Sequence, residues 1–457
     1  MIPSSILNQL KDLFPQNRYS TGESNRNLHS HDESVNVPSL PDVVLWPTIT
    51  EEVQKVLVLA NENSIPVTAW GAGTSLEGNP IPVQGGIVLN FNQMNRILEF
   101  RFPDMQVDLE PGVIYQDLNE YCRPHGLFFP PDPGARATIG GMIGNNASGT
   151  RTVRYGATRD YVQALEVVLA DGSLIKVGTQ AVKSSSGYDL CRLFVGSEGT
   201  LGIVTKATLR LVGFPEHYMS AVATFSTTRK ATQAVHQIII GGLAPAALEL
   251  VTTEVISLLN NERNLGLVEA PTLFMEFHGT GAQALHSTID SVQDICRENG
   301  GTGFTAGIGL SERARLWEAR HQVFETIKRA HPGCTFLIVD TAVPISRYSE
   351  MVEFSRELLI ARKQLGYVFG HAGDGNLHMC IVTRKEETKD WETAHEVHRT
   401  VISETLKLKG TATGEHGIGI GKKGYMEVEH GPSLTVMRRI KDLFDPNHIL
   451  NPGKMFP

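Results

Sequence analysis

The alternation of apolar and polar positions divides the first half of the chain into short strands and helices. Apolar residues recur at helical spacing over residues 51–63, which predicts a helix capped by Thr50. Apolar runs at 42–46 and 65–70 predict strands on either side of it. Further strands are predicted at 107–109, 162–169 and 174–177, and a helix is predicted at 114–123. The last two strands are joined by a predicted hairpin turn at Asp171-Gly172.

After Phe214 the pattern changes, and longer strands alternate with longer helices. This alternation predicts a second domain of mixed helix and sheet, with an antiparallel sheet. Its predicted strands span 219–225, 272–277 and 335–339, and its predicted helices span 227–239, 282–298 and 312–330. At the N-terminus, residues 6–14 predict a short helix, and 20–37, rich in serine, asparagine and charge, is expected to be loose.

Glycine-rich loops follow several of the predicted strands. Residues 130–156 contain six glycines, three arginines (Arg136, Arg151 and Arg154) and no acidic residue after Asp132. Glycine allows a backbone to approach a ligand closely, and successive N–H groups in such a loop attract an anion. We interpret the stretch as a cradle for a diphosphate, although an ordinary glycine-rich loop explains it too. Similar loops at 71–79 and from Gly196 favour a dinucleotide, without the GxGxxG spacing of a nicotinamide site.

Composition narrows the class of protein. The 457 residues carry a net charge of −8, which argues against nucleic acid as a partner. The five cysteines are scattered without a CxxC pair, which favours reduced thiols and a cytoplasmic location. No apolar run approaches the roughly 18 residues of a membrane span, and the N-terminus lacks the features of a signal peptide. Peripheral association with a membrane and a homodimer are left open.

Four segments together resemble a known family. WGAGTSLEG, PPDPGARATIGGMIGNNASGT, KSSSGYDL and GSEGTLGIVTKATLRL are similar to the FAD-binding domain of the vanillyl-alcohol-oxidase (PCMH-type) flavoproteins, in the branch that holds D-lactate dehydrogenases and the D-type subunits of glycolate oxidases. The resemblance implies an α+β fold: a two-subdomain PCMH-type FAD-binding domain plus an α+β cap domain with an antiparallel sheet. It implies four regions: an N-terminal helix and loop (1–37), the FAD-binding domain (38–213), the substrate cap (214–410) and a C-terminal segment (411–457) that carries active-site residues.

The same resemblance implies which residues lie near the cofactor. They are Gly71, Gly73, Thr74, Ser75, Pro131, Gly140, Gly141, Asn145, Ser148, Gly149 and Ile203. Some relatives bind flavin covalently through a histidine. Because residues 70–79 and 130–156 contain no histidine, we expect non-covalent FAD.

Two late segments predict a metal site. In GHAGDGNLHM, His371 and His378 flank a turn, and in TGEHGIG, Glu415 and His416 lie between glycines. Imidazole and carboxylate are common ligands of divalent metals, and a 2-hydroxy acid could chelate the ion. Satisfied structural histidines would give the same pattern, and Asp374 could be a ligand or a turn former. The family resemblance implies His371, His378 and Glu415 as ligands of Zn or Mn, with Asn376 near them.

The expected reaction is FAD-dependent oxidation of a D-2-hydroxy acid such as D-lactate. By resemblance, Arg320 holds the substrate carboxylate and His416 removes the hydroxyl proton. The electrons then pass to an unnamed acceptor: a quinone, a cytochrome or an electron-transfer flavoprotein. A non-haem iron oxygenase is rejected because the flavin already supplies a redox centre. A glycolate oxidase catalytic subunit and a flavin-binding relay or assembly subunit without a substrate site are the alternatives.

The resemblance also bears on the size of the substrate. In related D-2-hydroxyglutarate dehydrogenases, a lysine two residues before the aspartate of the cap segment helps to hold a second carboxylate. The matching segment here is FLIVDTAVP, in which Ile338 takes that place. An apolar residue leaves a distal carboxylate unpaired, which is costly when the group is buried. A monocarboxylate substrate is therefore expected.

Overall fold

The computed structural model describes residues 1–307, 317–318, 320–384 and 386–457, and the chain divides into two compact bodies. The first body comprises Met1–Ser148, Ala157–Phe214 and Glu415–Pro457. The second body comprises Gly149–Gly156 and Pro215–Gly414. The glycine-rich stretch 130–156 is thus divided between them.

The described helices alternate with short strands in the first half of the chain and with longer strands in the second. The helices are α1 (Ser4–Leu13), α2 (Glu23–Leu28), α3 (Thr50–Glu62), α4 (Tyr115–Cys122), α5 (Ile139–Asn145), α6 (Thr152–Tyr155), α7 (Leu190–Phe194), α8 (Thr228–Ile240), α9 (Thr253–Arg263), α10 (Ala282–Glu298), α11 (Val323–Ala330), α12 (Tyr348–Arg362), α13 (Thr388–Lys407), α14 (Met426–His430) and α15 (Pro432–Phe444). The strands are β1 (Tyr19–Ser20), β2 (Val43–Leu45), β3 (Val67–Trp70), β4 (Ile87–Asn90), β5 (Ile97–Arg101), β6 (Gln106–Leu109), β7 (Leu127–Phe128), β8 (Val162–Val168), β9 (Leu174–Gly178), β10 (Ile203–Arg210), β11 (Val212–Gly213), β12 (His217–Phe225), β13 (Ala247–Val251), β14 (Thr272–Gly279), β15 (Gly301–Ala306), β16 (Cys334–Ala342), β17 (Gly366–His371) and β18 (Asn376–Arg384).

The first body contains two main sheets. One has four strands in the order β1-β2-β4-β3, in which β2 and β3 run parallel to β4. The other has five antiparallel strands in the order β5-β6-β10-β8-β9. Helix α3 buries the apolar face that the sequence predicts, and this face joins the main core of the body. Burial of that stripe is the reason that the segment is helical.

The predicted cap of α3 is wrong. The helix begins at Thr50, so Ile49 occupies the capping position, and no side chain caps the helix. The preceding turn is held instead by Glu52, whose carboxylate accepts the N–H of Thr48 at 2.9 Å and pairs with Arg18 at 2.6 Å. The Glu52 carboxylate thus fixes the chain that enters the helix, without capping the helix itself.

The stretch 20–37 is ordered rather than loose. It contains α2, and the buried residues His29, Ser30 and Asp32 follow that helix. The Asp32 carboxylate accepts the N–H of Gly78 at 2.8 Å, so this segment packs on the second glycine loop. The polar composition of this stretch does not indicate a loose segment, because its polar side chains bond to backbone groups inside the body.

The second body is built on a seven-stranded antiparallel sheet in the order β15-β12-β14-β13-β17-β18-β16. Its strands include the three predicted from the sequence, and α8 and α10 match two of the predicted helices. The predicted helix 312–330 is observed as α11 at its end, whereas 308–316 and 319 lie outside the described residues. Helices α9 and α11 pack on one face of the sheet and form an apolar core there.

Two expectations from composition can be compared with the structure. All five cysteines are free thiols. Within the residues that the structure describes, no helix is both long and apolar enough to cross a bilayer.

Candidate active site

Polar side chains lie side by side on one face of the seven-stranded sheet. Glu249 on β13 is directly opposite His371 on β17, and His371 is opposite Asn376 on β18. His378 lies two residues further along β18 and is opposite Asp340 on β16. Residues directly opposite each other, or two apart along a strand, project from the same face. We call these five residues the polar row.

The two predicted histidine ligands are neighbours in this row. The rings of His371 and His378 have their centroids 4.9 Å apart and are nearly perpendicular, at 89°. Both side chains are buried, with 7% and 6% exposure. Such a pair can present one nitrogen each to a common ion, as the sequence predicts.

Glu249 joins His371 to Arg320. One of its carboxylate oxygens bonds to Nδ1 of His371 at 2.8 Å, and the other accepts a short hydrogen bond from Nη2 of Arg320. Burial alone would raise the pKa of the Glu249 carboxyl group. The positive Arg320 and the His371 ring outweigh that effect and hold the pKa below its usual value. The structure therefore places the predicted substrate-binding arginine in the same cluster as a predicted metal ligand.

Asp340 anchors the other end of the row. Its Oδ1 accepts the Asn376 side-chain amide at 2.8 Å, and its Oδ2 accepts the Thr413 hydroxyl and the Gly414 N–H, both at 3.0 Å. A Cβ on Gly414 would lie 2.2 Å from the Asn376 amide nitrogen, so only glycine allows this approach. Asp340 thus holds the backbone immediately before Glu415.

The turn between β17 and β18 clarifies the role of Asp374. Its carboxylate accepts the N–H of Asn376 at 3.3 Å, the bond that a turn-forming aspartate makes. Gly375 has φ of +80°, and a Cβ there would lie 2.1 Å from the carbonyl oxygen of Val343. The geometry supports Asp374 as a turn former rather than as a ligand.

Glu415 and His416 belong to the first body, where they lie beside predicted flavin-binding residues. Ser148 donates its hydroxyl to Glu415 at 3.3 Å, and the Asn145 amide donates to the carbonyl of His416 at 3.1 Å. The two side chains turn to the same side, with Nε2 of His416 located 3.6 Å from Oε1 of Glu415. Gly417, with φ of +84°, forms the turn that this arrangement requires.

Two of the glycine loops and the segment that follows His416 meet around a buried carboxylate in the first body. Glu198 accepts the Asn79 amide at 2.6 Å and the N–H groups of Ile418 and Gly419 at 2.6 and 2.9 Å. This single side chain therefore links the loop at 71–79, its own loop and the segment that follows His416.

Most of the predicted flavin-binding residues lie in this region of the first body. Gly71 comes so close to Thr138 that a Cβ would lie 2.3 Å from its hydroxyl oxygen. The predicted cofactor residues that keep partial exposure, and can therefore face a ligand, are Gly71, Gly73, Thr74, Ser75, Gly140, Gly141, Asn145 and Ser148. Pro131 and Ile203 are buried, and Gly149 belongs to the second body.

The three arginines of the glycine-rich stretch are divided between the two bodies. Arg136 pairs with Asp117 at the surface, at 2.7 Å. Arg151 and Arg154 belong to the second body, where Arg154 donates to the backbone carbonyls of Ala244 and His278.

Reasoning from the sequence missed Glu249, Asp340 and Glu198. Two of them carry a detectable signal, since each is an acidic residue inside an apolar, strand-forming run: ALELV for Glu249 and FLIVD for Asp340. A carboxylate in such a run is expected to be buried and to need a charged or hydrogen-bonding partner. Its partner could not be identified, because partners come from strands distant in the sequence.

Comparison with known families accounts for this arrangement. Residues 41–178 match the FAD binding domain family, and residues 214–455 match the C-terminal domain of FAD linked oxidases. The chain belongs to the FAD-linked oxidases. The expected PCMH-type resemblance, the α+β fold and an FAD-binding domain are thereby confirmed, and this FAD-linked oxidase is an oxidoreductase.

Relatives cover the whole chain. This FAD-linked oxidase is 38% identical to a probable mitochondrial D-lactate dehydrogenase of Danio rerio, over 98% of this chain and 91% of the relative. It is 35% identical to the glycolate oxidase subunit GlcD of Bacillus subtilis, over 100% and 97% of the two chains. Among solved structures, 4-ethylphenol oxidase from Gulosibacter chungangensis has a TM-score of 0.82 at 18% identity, covering 99% and 97%. At that identity the structural likeness shows the fold alone.

A pair of glycines in α5 tests the flavin site. A Cβ on Gly140 would lie 2.7 Å from Cβ of Pro111, whereas the nearest atom to a Cβ on Gly144 is 3.9 Å away. We therefore expect Gly140→Ala to displace α5 and to lower the FAD content of the purified protein. Gly144→Ala is the matched control and should keep its flavin, since alanine favours a helix by about 0.5–1 kcal/mol over glycine. Flavin absorbance per protein measures both, and equal flavin in the two variants would contradict the prediction.

Proposed function

We propose that this FAD-linked oxidase oxidises a D-2-hydroxy acid of the D-lactate type to the corresponding 2-oxo acid. The observation that carries the proposal is that Glu249, in the polar row, bonds both to the buried Arg320 and to His371, whose ring lies beside that of His378. Arginine suits the carboxylate of such a substrate, because its guanidinium can bind a carboxylate through parallel hydrogen bonds. The names of the relatives support the same reaction class.

The metal ligands in this proposal are His371, His378 and Glu415. Gly414, which Asp340 holds beside Asn376, precedes Glu415 by one peptide unit, about 3.8 Å between Cα atoms. Two imidazoles and one carboxylate form a donor set that suits Zn or Mn. When bound, such an ion supplies Lewis-acid chemistry that lowers the pKa of a coordinated hydroxyl group.

Two side chains of the protein have further roles in the proposed reaction. Arg320 orients the substrate through its carboxylate, and His416 accepts the hydroxyl proton. FAD, when bound, supplies N5 as the acceptor of the hydride from C2. The substrate loses one proton and one hydride, so the product is a 2-oxo acid and the reaction is balanced.

FAD is proposed to be held without a covalent bond, because residues 70–79 and 130–156 contain no histidine. Precipitation with acid should therefore release the whole of the yellow colour into the supernatant. Absorbance of the supernatant and of the redissolved pellet measures the two fractions. Flavin that stays with the pellet would contradict the non-covalent assignment while leaving the substrate assignment open to its own test.

Anaerobic mixing with candidate substrates tests the function itself. We expect D-lactate alone to bleach the flavin, with glycolate and L-lactate reacting more slowly. D-2-Hydroxyglutarate should be poor, because Ile338 lies on the same strand face as Asp340 and packs against an apolar cluster that offers a distal carboxylate no partner. Stopped-flow absorbance gives the second-order rate constant of flavin reduction for each acid.

Other results of this substrate comparison would favour other functions. Preference for glycolate would favour a glycolate oxidase catalytic subunit, the function named for the Bacillus subtilis relative. A flavin that no hydroxy acid reduces would favour a relay or assembly subunit. Comparable values for hydroxyglutarate and lactate would overturn the argument from Ile338.

The neighbours Glu415 and His416 should respond differently to substitution. An imidazole bound to metal has given up its lone pair, so a base at His416 must be outside the ligand set. Glu415→Gln should therefore lower metal content and activity together. His416→Ala should keep metal and flavin but slow flavin reduction by roughly 10²–10⁴-fold, the usual contribution of general-base catalysis. Metal analysis combined with stopped-flow bleaching measures both, and loss of metal only in His416→Ala would reverse the two roles.

A further inference from the structure

Glu249 occupies a position that is hard to explain by folding alone. Its side chain is fully buried, at 0% exposure, in a strand that is otherwise apolar. Removing a charge from water costs several kcal/mol, and replacing buried ion pairs with apolar residues of similar size is often neutral or stabilising. A buried carboxylate with two charged or polar partners is therefore weak evidence for stability, and a role in the site is a better explanation.

Glu249 bonds to His371 and to Arg320. The proposed function assigns His371 to metal binding and Arg320 to substrate binding. Nδ1 of His371 faces one carboxylate oxygen, so the other ring nitrogen, Nε2, is directed away from Glu249. Arg320 donates a hydrogen bond from Nη2 to the second oxygen. Its Nε is buried and has no hydrogen-bond partner among the described residues. A buried donor without an acceptor is costly, and a bound carboxylate would satisfy it.

A histidine that binds metal through one nitrogen usually donates its other N–H to a carboxylate or carbonyl. That bond selects the tautomer and fixes the plane of the ring. Glu249 provides such a partner, and its position opposite His371 in the β13–β17 pair makes the contact a consequence of strand register. The same carboxylate restrains the guanidinium of Arg320, which also lies over the Phe369 ring at 5.3 Å.

We infer that Glu249 is a positioning residue that orients His371 for the metal and Arg320 for the substrate carboxylate, and thereby couples the two binding events. The inference rests on the proposed function. It adds that metal affinity and substrate affinity depend on one side chain that touches neither ligand. Loss of the Glu249 charge should therefore weaken both, even though no metal ligand has been changed.

The same sheet offers a matched control. Glu276 on β14 is also buried, at 5%, and its carboxylate bonds to Nε2 of His278 at 2.7 Å. The other ring nitrogen, Nδ1, bonds to the hydroxyl of Tyr155 at 2.8 Å, so both nitrogens of His278 are used within the protein. Glu276 therefore has the burial and the histidine partner of Glu249 without a proposed metal ligand.

The experiment compares Glu249→Gln with Glu276→Gln in the flavin-loaded protein. Mn²⁺ is titrated, and its free concentration is followed by electron paramagnetic resonance, which flavin does not obscure. We expect Glu249→Gln to raise the Kd for Mn²⁺ by about 10–100-fold, the usual effect of losing the partner of a metal-bound histidine. Its KM for D-lactate should rise as well. Glu276→Gln should leave the Kd for Mn²⁺ unchanged.

Flavin content and Tm separate positioning from general destabilisation. If both variants lose flavin, Tm and Mn²⁺ affinity in parallel, the role of Glu249 is structural and the inference is overturned. If Glu249→Gln does not fold, Glu249→Asp keeps the charge but shortens the side chain, and it should weaken Mn²⁺ binding because one carboxylate can no longer reach both partners. Unchanged Mn²⁺ affinity in that variant would also overturn the inference.

The wild-type protein distinguishes this inference from the proposed function. Wild-type protein that binds Mn²⁺ and is reduced by D-lactate, with a Glu249→Gln variant that behaves identically, would reject only the role of Glu249. Wild-type protein that is reduced by D-lactate but binds neither Mn²⁺ nor Zn²⁺ would reject the metal site, and the role of Glu249 with it. The two failures therefore give different results in the same set of measurements.

Discussion

Glu198 carries its carboxylate into the interior of the first body, where water has little access to it. Burial raises the pKa of this group, and the surrounding donors oppose that effect. The donors are the Asn79 amide and the backbone N–H groups of Ile418 and Gly419, which follow Gly417. Because a buried carboxylate without its donors costs more than most single contacts contribute, the chain on both sides is fixed by this requirement. The positions of Glu415 and His416 in the first body depend on it.

The second body follows the same rule with different residues. The Asp340 carboxylate accepts hydrogen bonds from a side-chain amide, a hydroxyl and a backbone N–H. The Glu249 carboxylate bonds to an arginine and a histidine. Strand pairing places Glu249 opposite His371, whereas Arg320, Thr413 and Gly414 reach their carboxylates from outside the strands. Buried carboxylates therefore bond to several of the predicted site residues, and an apolar core lies between the sheet and its helices.

Several elements could be predicted because their signals are local. The apolar stripe of α3, the Asp171-Gly172 hairpin and the long strands of the second body depend on neighbours within a few residues. Predictions from the sequence were wrong where a residue distant along the chain determines the local structure. The cap of α3 is replaced by a turn that Glu52 and Arg18 stabilise, and the polar stretch 20–37 is ordered because Asp32 bonds to Gly78. Neither partner can be identified from the segment itself.

The sequence by itself determined the chemical content of the protein: glycine loops for a flavin, two histidines beside a turn, and an adjacent glutamate and histidine. These are signals of residue type and spacing, which do not depend on long-range pairing. The tertiary structure alone decided that Arg320 and His371 share Glu249, and that Asp340 holds the residue before Glu415. Strand register sets the contact of Glu249 with His371, and register depends on the packing of the whole sheet. Arg320 and Gly414 reach their carboxylates from outside the strands, through tertiary packing. For that reason the residues that position the site were found only in the fold.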